Sequence, residues 1–182
     1  MLRGVAYGAQ KSRGRFGSAL EPLTHLRLSY RRRETQELAV IENCEIIRPS
    51  PAYRLGWEQQ LYCGYLSELL VEFTREEIAG DRLFRLVLAV LDAMEQAPAQ
   101  VLTRYFEFWL LRLEGVLPSL LEILPDDLAP RTQQMLVRPP AEVGNHPFSA
   151  GELQEMERVA ARLIENHLEK PLKAKRMLKE LL

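Results

Sequence analysis

Cysteine is scarce in this chain. Cys44 and Cys63 are the only two among 182 residues, and no second cysteine lies near either. That excludes a disulfide framework and any CxxC zinc pair, and it makes a reducing setting, the cytoplasm, the expected location. Histidine is nearly as rare: His25, His146 and His167 are scattered, without the close spacings of a helical metal site. Neither metal nor cofactor is expected. The phosphate-loop patterns GxxxxGKS/T and GxGxxG do not occur, so nothing points to a nucleotide-phosphate cradle. Long hydrophobic runs are missing too. The longest, Leu83 to Met94, is broken by Arg85 and Asp92 and is far short of a membrane span. The start, Met1-Leu-Arg-Gly, lacks the apolar run of a secretory signal. Carboxylates are plentiful, but no arrangement of them marks an acid–base pair. The chain does not read as an enzyme.

What is present is an uneven distribution of charge. The formal net charge is only −1, yet residues 1–33 hold eight basic side chains (Arg3, Lys11, Arg13, Arg15, Arg27, Arg31, Arg32, Arg33) against the single acid Glu21. A second basic cluster, Lys170, Lys173, Lys175, Arg176 and Lys179, closes the chain with no acid inside it. Cations concentrated in this way suit a polyanion, although lysines in a last helical turn also complement the helix dipole.

The hydrophobic period divides the chain. Up to about residue 48 it is two: Arg3, Val5 and Tyr7 alternate with glycine and alanine, Leu26, Leu28 and Tyr30 alternate with polar residues, and Leu38 to Ile47 is rich in Val and Ile. Three short strands with a glycine-punctuated basic loop, residues 10–18, predict a small antiparallel β unit. From Ser50-Pro51 the period becomes 3.6, with Trp57, Leu61, Tyr65, Leu69 and Phe73 on one predicted helical face. A second helix, from Asp81 to about Gln96, is apolar almost all round at Leu86–Leu91 and reads as the central one. A third starts at Pro98 and runs to Gly115. Residues 118–148 contain six of the eleven prolines and predict an irregular connection. Ser149 and Glu152 form a capping box for a helix to His167, and Pro171 then opens a short last helix. The expected class is α+β, with a β unit over 1–48 and a helical domain over 49–182.

In the β unit, rings are interleaved with cations. Single-strand binders need that mixture, since cations follow phosphates while rings stack on bases without reading sequence. Tyr7 and Tyr30 are expected to face the core. Phe16, set between arginines in a glycine loop, is the stacking candidate. Cys63, inside an apolar helix, is expected to be a small core residue.

Two segments carry a family resemblance. Val5-Ala-Tyr-Gly-Ala-Gln-Lys-Ser-Arg-Gly-Arg-Phe-Gly-Ser-Ala-Leu-Glu-Pro-Leu-Thr24 resembles the strand, basic loop and "LEPF" corner of the bacterial recombination mediator RecO family. His167-Leu-Glu-Lys-Pro-Leu-Lys-Ala-Lys-Arg-Met-Leu178 resembles that family's terminal signature, and the helical run Tyr53 to Gly115 falls between them in the expected order. The resemblance implies an N-terminal OB-fold, here partial because the family's first strands precede the motif that starts at Gly8. It also implies binding and annealing of single-stranded DNA, a RecR-like partner, loading of recombinase onto strands coated by single-strand-binding protein, and no membrane. The family's four-cysteine zinc module has no counterpart in Pro118 to Pro147. The residues expected to contact DNA are Arg3, Lys11, Arg13, Arg15 and Arg31, with Phe16 stacking and Lys173 and Arg176 contributing from the terminal motif. The alternative is an interaction module whose helical domain docks a protein partner while the β unit binds nothing.

Overall fold

The computed structural model describes residues 3–9, 16–33, 38–74, 80–145 and 148–181. The chain forms two units, Met1–Arg54 and Leu55–Leu182. The first holds a three-stranded sheet: β1 (Gly4–Val5), β2 (His25–Arg31) and β3 (Ala39–Arg48), in the order β1-β3-β2. β2 and β3 are antiparallel, as the alternation predicts, but β1 runs parallel to β3, which corrects the all-antiparallel expectation. A parallel neighbour needs a long connection, and β1 has one, because β2 intervenes in the chain before β3.

A 3-10 turn at Gly17–Leu20 packs on β3 and carries Phe16 and Ala19 into a small core with Ala39. Gly17 enters that turn at φ +49, where a side chain would be strained. Ser50 closes the unit. Its hydroxyl donates to the Pro22 carbonyl at 2.8 Å and accepts from Ala52 N–H at 3.4 Å. Pro51 therefore opens only a 3-10 turn, Pro51–Tyr53, and not the long helix that the Ser-Pro pair suggested.

The second unit contains α1 (Trp57–Phe73), α2 (Gly80–Ala93), α3 (Ala99–Leu113), α4 (Leu120–Ile123), α5 (Leu128–Leu136), α6 (Ala150–Leu168) and α7 (Lys173–Leu181). Gly56, in extended backbone, is the N-cap of α1, so Trp57 lies in the first turn and is 65% exposed. The apolar face begins one turn later, at Tyr62, Tyr65, Leu66, Leu69 and Phe73. Cys63 is buried among them, and burial pushes its thiol up to about 11.

The central helix is α3, not α2. It packs against α1, α2, α5 and α6 and buries eleven of its fifteen residues, whereas Leu86, Val87, Leu88 and Ala89 of α2 stay half-buried. Residues 118–148 are also more regular than their prolines suggested. Pro130 occupies the first turn of α5, where a missing N–H costs nothing. Two α3 side chains tie that segment down: Trp109 Nε1 donates to the Leu136 carbonyl and Tyr105 Oη to that of Arg138, each at 3.1 Å. The Ser149–Glu152 capping box is present, with the Ser149 N–H donating to Glu152 at 2.6 Å.

Charge lies inside this unit. Glu107 of α3 is fully buried, its Oε1 accepts from Tyr65 Oη of α1 at 2.6 Å, and Arg104 Nε lies 3.2 Å from its Oε2. Lys175 of α7 is buried on the same cluster and interacts electrostatically with Glu107. Burial pushes the Glu107 carboxyl above its ordinary range, opposed by Arg104 and by the Tyr65 hydrogen bond.

Two substitutions test this cluster by urea denaturation. Tyr65→Phe leaves the carboxylate short of a donor and is expected to cost about 1.5–3 kcal/mol. Glu107→Gln tests the ionisation. The folded chain holds the proton at pH values where the unfolded chain, at the ordinary 4.5, has lost it. Stability therefore declines as pH rises through that window. The parent's unfolding free energy should fall more steeply above pH 4.5 than that of the Gln variant. Parallel profiles would mean that this carboxyl titrates as it does in water.

Candidate nucleic-acid interface and a basic cleft

Strand register sets the candidate interface. Gly4 pairs with Ala39, and Arg31 lies opposite Val40, so Arg3 and Arg31 flank the start of β3 from its two sides. Two strand spacings separate them, about 10 Å. The Arg3 carbonyl accepts the Ala39 N–H at 2.9 Å, which fixes the backbone from which its exposed side chain departs. Arg32 and Arg33 continue from Arg31 and are exposed as well. This end of the sheet therefore gathers four arginines.

Two β2 arginines meet carboxylates across the sheet. Arg27 Nη1 lies 2.8 Å from Glu45 Oε2, and Arg31 Nε lies 3.5 Å from Glu42 Oε1. Both pairs are largely exposed, where such contacts contribute little. Lys11, Arg13 and Arg15 lie outside the described residues.

The aromatic assignment is corrected. Phe16 is 6% exposed, in the core formed by the Gly17–Leu20 turn, and in that position presents no ring face to a base. The apolar ring follows Ala19 inward because the turn folds back onto β3. The two tyrosines expected in the core are the exposed rings: Tyr7 is 71% exposed and Tyr30 50%. Tyr30 sits beside an irregularity in the ladder, between Ser29 and Tyr30, next to Arg31. Leu28, two residues earlier on the same strand, is 41% exposed as well, so this face of β2 is largely uncovered, which alternation does not reveal.

Lys173 and Arg176 belong to the helical unit, on α7, and both are exposed. Arg176 Nε is 3.9 Å from Glu180. Nearby is a feature that sequence reading missed, a cleft of about 690 Å³ bordered by α1, α3, α6 and α7. Its wall carries Arg104, Arg158, Arg162, Lys175 and Lys179 against Glu157 and Glu165. Arg158 is engaged by Glu155, beside it on α6. Arg104 is 5% exposed, and its Nη1 lies 3.7 Å from Glu157, too far for a hydrogen bond. Among the described residues that Nη1 has no hydrogen-bond partner. A desolvated guanidinium N–H at a cleft wall is suited to an anionic oxygen. The available signal was an Arg and a Glu spaced i, i+3, Arg104 just before and Glu107 within the apolar run Tyr105–Leu111.

Among the described residues no three His, Cys, Asp or Glu side chains stand close enough to hold a metal ion, and no helix is long and apolar enough to cross a membrane.

A small sheet with a basic end, followed by a helical unit, is the two-part organisation of a DNA-repair family. The family description "Recombination protein O N terminal" matches residues 1–50, and "Recombination protein O C terminal" matches residues 54–122. The chain belongs to the RecO family. Among curated relatives it is 38% identical over 120 residues to the DNA repair protein RecO of Koribacter versatilis (strain Ellin345), an alignment covering 66% of this chain and 49% of that protein. To the DNA repair protein RecO of Syntrophus aciditrophicus (strain SB) it is 36% identical over 120 residues, 65% of this chain and 46% of the relative. To that of Geobacter sulfurreducens it is 34% identical over 120 residues, 65% of this chain and 49% of the relative. The chain thus spans about half the length of the curated relatives it matches.

The buried ring generates a prediction. Phe16→Ala should destabilise the β unit by about 3–5 kcal/mol, seen as faster amide exchange along Ala39–Arg48. Phe16→Leu keeps the apolar volume without a ring, so it should retain both protection and oligonucleotide affinity. Leu and Ala variants losing affinity alike, with β3 still protected, would return the ring to a stacking role.

Proposed function

We propose that this chain is a non-catalytic mediator of DNA repair that binds single-stranded DNA through the basic end of its β unit. The observation that carries the reading is the placement of Arg3 and Arg31 on either side of β3, with Arg32 and Arg33 beside them and the exposed ring of Tyr30 adjacent. Exposed cations grouped at one end of a sheet suit a phosphate backbone, and a tyrosine face suits a base. Lys11, Arg13 and Arg15 extend the same basic tract, with Lys173 and Arg176 as further phosphate contacts from the terminal motif. Family membership supplies the context: annealing of strands and loading of recombinase in the cytoplasm, together with a RecR-like protein and single-strand-binding protein. The absence of any nucleophile–base arrangement in the sequence agrees with a binding role.

A second reading, docking of a protein partner on the helical unit, is favoured by the unsatisfied Arg104 Nη1 at the wall of the basic cleft. It needs no DNA. The two readings separate in one measurement, oligonucleotide binding across a salt series.

Replacing Lys11, Arg13 and Arg15 together by alanine should lower the slope of log affinity against log salt by roughly 2, at about 0.7 per phosphate contact on a single strand. Affinity should drop alike for every base composition, because phosphate contacts position the strand without reading it. Helix content should be unchanged. A triple variant with the parent's affinity and slope would make this tract a solvated face, and the same result for Arg3→Ala/Arg31→Ala would leave docking as the function.

A further inference from the structure

The last helix is attached differently from the others. α3 and α6 are fixed by large buried side chains such as Phe106, Phe108, Met156 and Ile164. In α7 the buried positions are Leu178 and Lys175, with Leu172 just ahead of the helix. Nine residues are too few to hold a helix in isolation, so α7 is helical only while docked. Its docking contacts are charged. Glu68 of α1 accepts from the Lys173 and Ala174 N–H groups at 2.9 and 2.6 Å, capping the α7 N-terminus with one carboxylate. One turn along α1, Glu72 pairs with Lys170. Inside, Lys175 faces Glu107 of α3 and Glu157 and Glu165 of α6. The connection back to α6 is a ready hinge: Glu169 adopts a left-handed conformation, φ 55, and Pro171 prevents continuation of the helix.

We infer that α7 is an electrostatic latch that releases from Glu68 and Glu72 as a unit while α1, α3 and α6 remain folded, opening the wall of the cleft that Lys175, Leu178 and Lys179 provide. Release bares Lys175 and admits water to the Arg104–Glu107 pair, so one event remodels both the shape and the charge of the cleft. The inference does not depend on what binds the cleft or on whether the β unit binds DNA.

Amide exchange and amine labelling of the full chain, both read by mass spectrometry, test it. In the double variant Glu68→Ala/Glu72→Ala, amides of Lys173–Leu181 should exchange about tenfold faster, the effect of losing a carboxylate cap. Amides of Ala99–Leu113 should stay within twofold of the parent. Lys175 should react with an amine-directed ester several times faster. Raising salt to about 1 M should move the parent in the same direction, because these contacts are partly exposed and screened. Exchanging the charges of one pair, Glu72→Lys with Lys170→Glu, should restore slow exchange relative to Glu72→Lys alone. The inference is overturned if α7 and α3 exchange in step in the parent and the variants, if the double variant leaves α7 and Lys175 unchanged, or if that variant unfolds the whole helical unit.

Discussion

The helical unit is organised around a carboxylate that has no access to water. Glu107 is buried in the most enclosed helix of the chain, and isolating a charge there would cost many kcal/mol. The fold meets that cost by converging on it. Tyr65 brings a hydroxyl from α1, Arg104 a guanidinium from the previous turn of α3, and Lys175 an ammonium from α7, while Glu157 of α6 stands beyond Arg104. Four helices therefore meet at one charge cluster. A buried cluster of this kind is weak support for stability, because well-packed apolar side chains do as well. It does constrain arrangement, since α1 and α3 must keep the Tyr65 hydroxyl and the Arg104 guanidinium within reach of one carboxylate.

That constraint also shapes the cleft. Nε of Arg104 lies 3.2 Å from Glu107 Oε2, while its Nη1 stands at the cleft wall 3.7 Å from Glu157, and among the described residues neither Nη1 nor Glu107 Oε2 has a hydrogen-bond partner. The unpartnered N–H at the cleft wall thus belongs to the same side chain that faces the buried carboxylate. Lys175 belongs to both structures, and it arrives on α7, whose N-terminus is capped by the Glu68 carboxylate. Core charge, cleft charge and the docking of α7 are coupled through that residue.

Much of this organisation was legible in the sequence because it rests on local chemistry. The switch from period two to period 3.6 falls near Ser50, the Ser149–Glu152 box caps α6, Pro98 stands immediately before α3, and Pro171 separates α6 from α7. What escaped depended on partners distant in the chain. The run Leu86–Leu91 looked central because it is continuously apolar, but continuity does not say how many neighbours a helix has. In α3 the charges Arg104 and Glu107 hid how enclosed the helix is, because the two are buried side by side. The rings were inverted for a similar reason. Phe16 turns inward with a turn that folds onto β3, and Tyr30 stays exposed with Leu28 on a largely uncovered face of β2, neither of which alternation encodes. The cations of the β unit were legible as a tract, whereas the placement of Arg3 beside the end that carries Arg31 needed the parallel pairing of β1.

In the proposed contact with a polyanion, the cross-strand glutamates of the same sheet would matter. Arg27 and Arg31 are not free cations, since each has a glutamate across the strand pair. Exposed pairs of this kind contribute about 0–1 kcal/mol each, less than a guanidinium gains from a bidentate phosphate. The glutamates therefore hold the arginines extended over the sheet at little cost and give way to a stronger anion. They also reduce the positive field of the isolated unit, which disfavours weak, unspecific anions more than a strand that engages several arginines together. On this argument Glu42 and Glu45 set a threshold for the proposed DNA contact, and neutralising them would tighten binding of short anions proportionally more than binding of long strands.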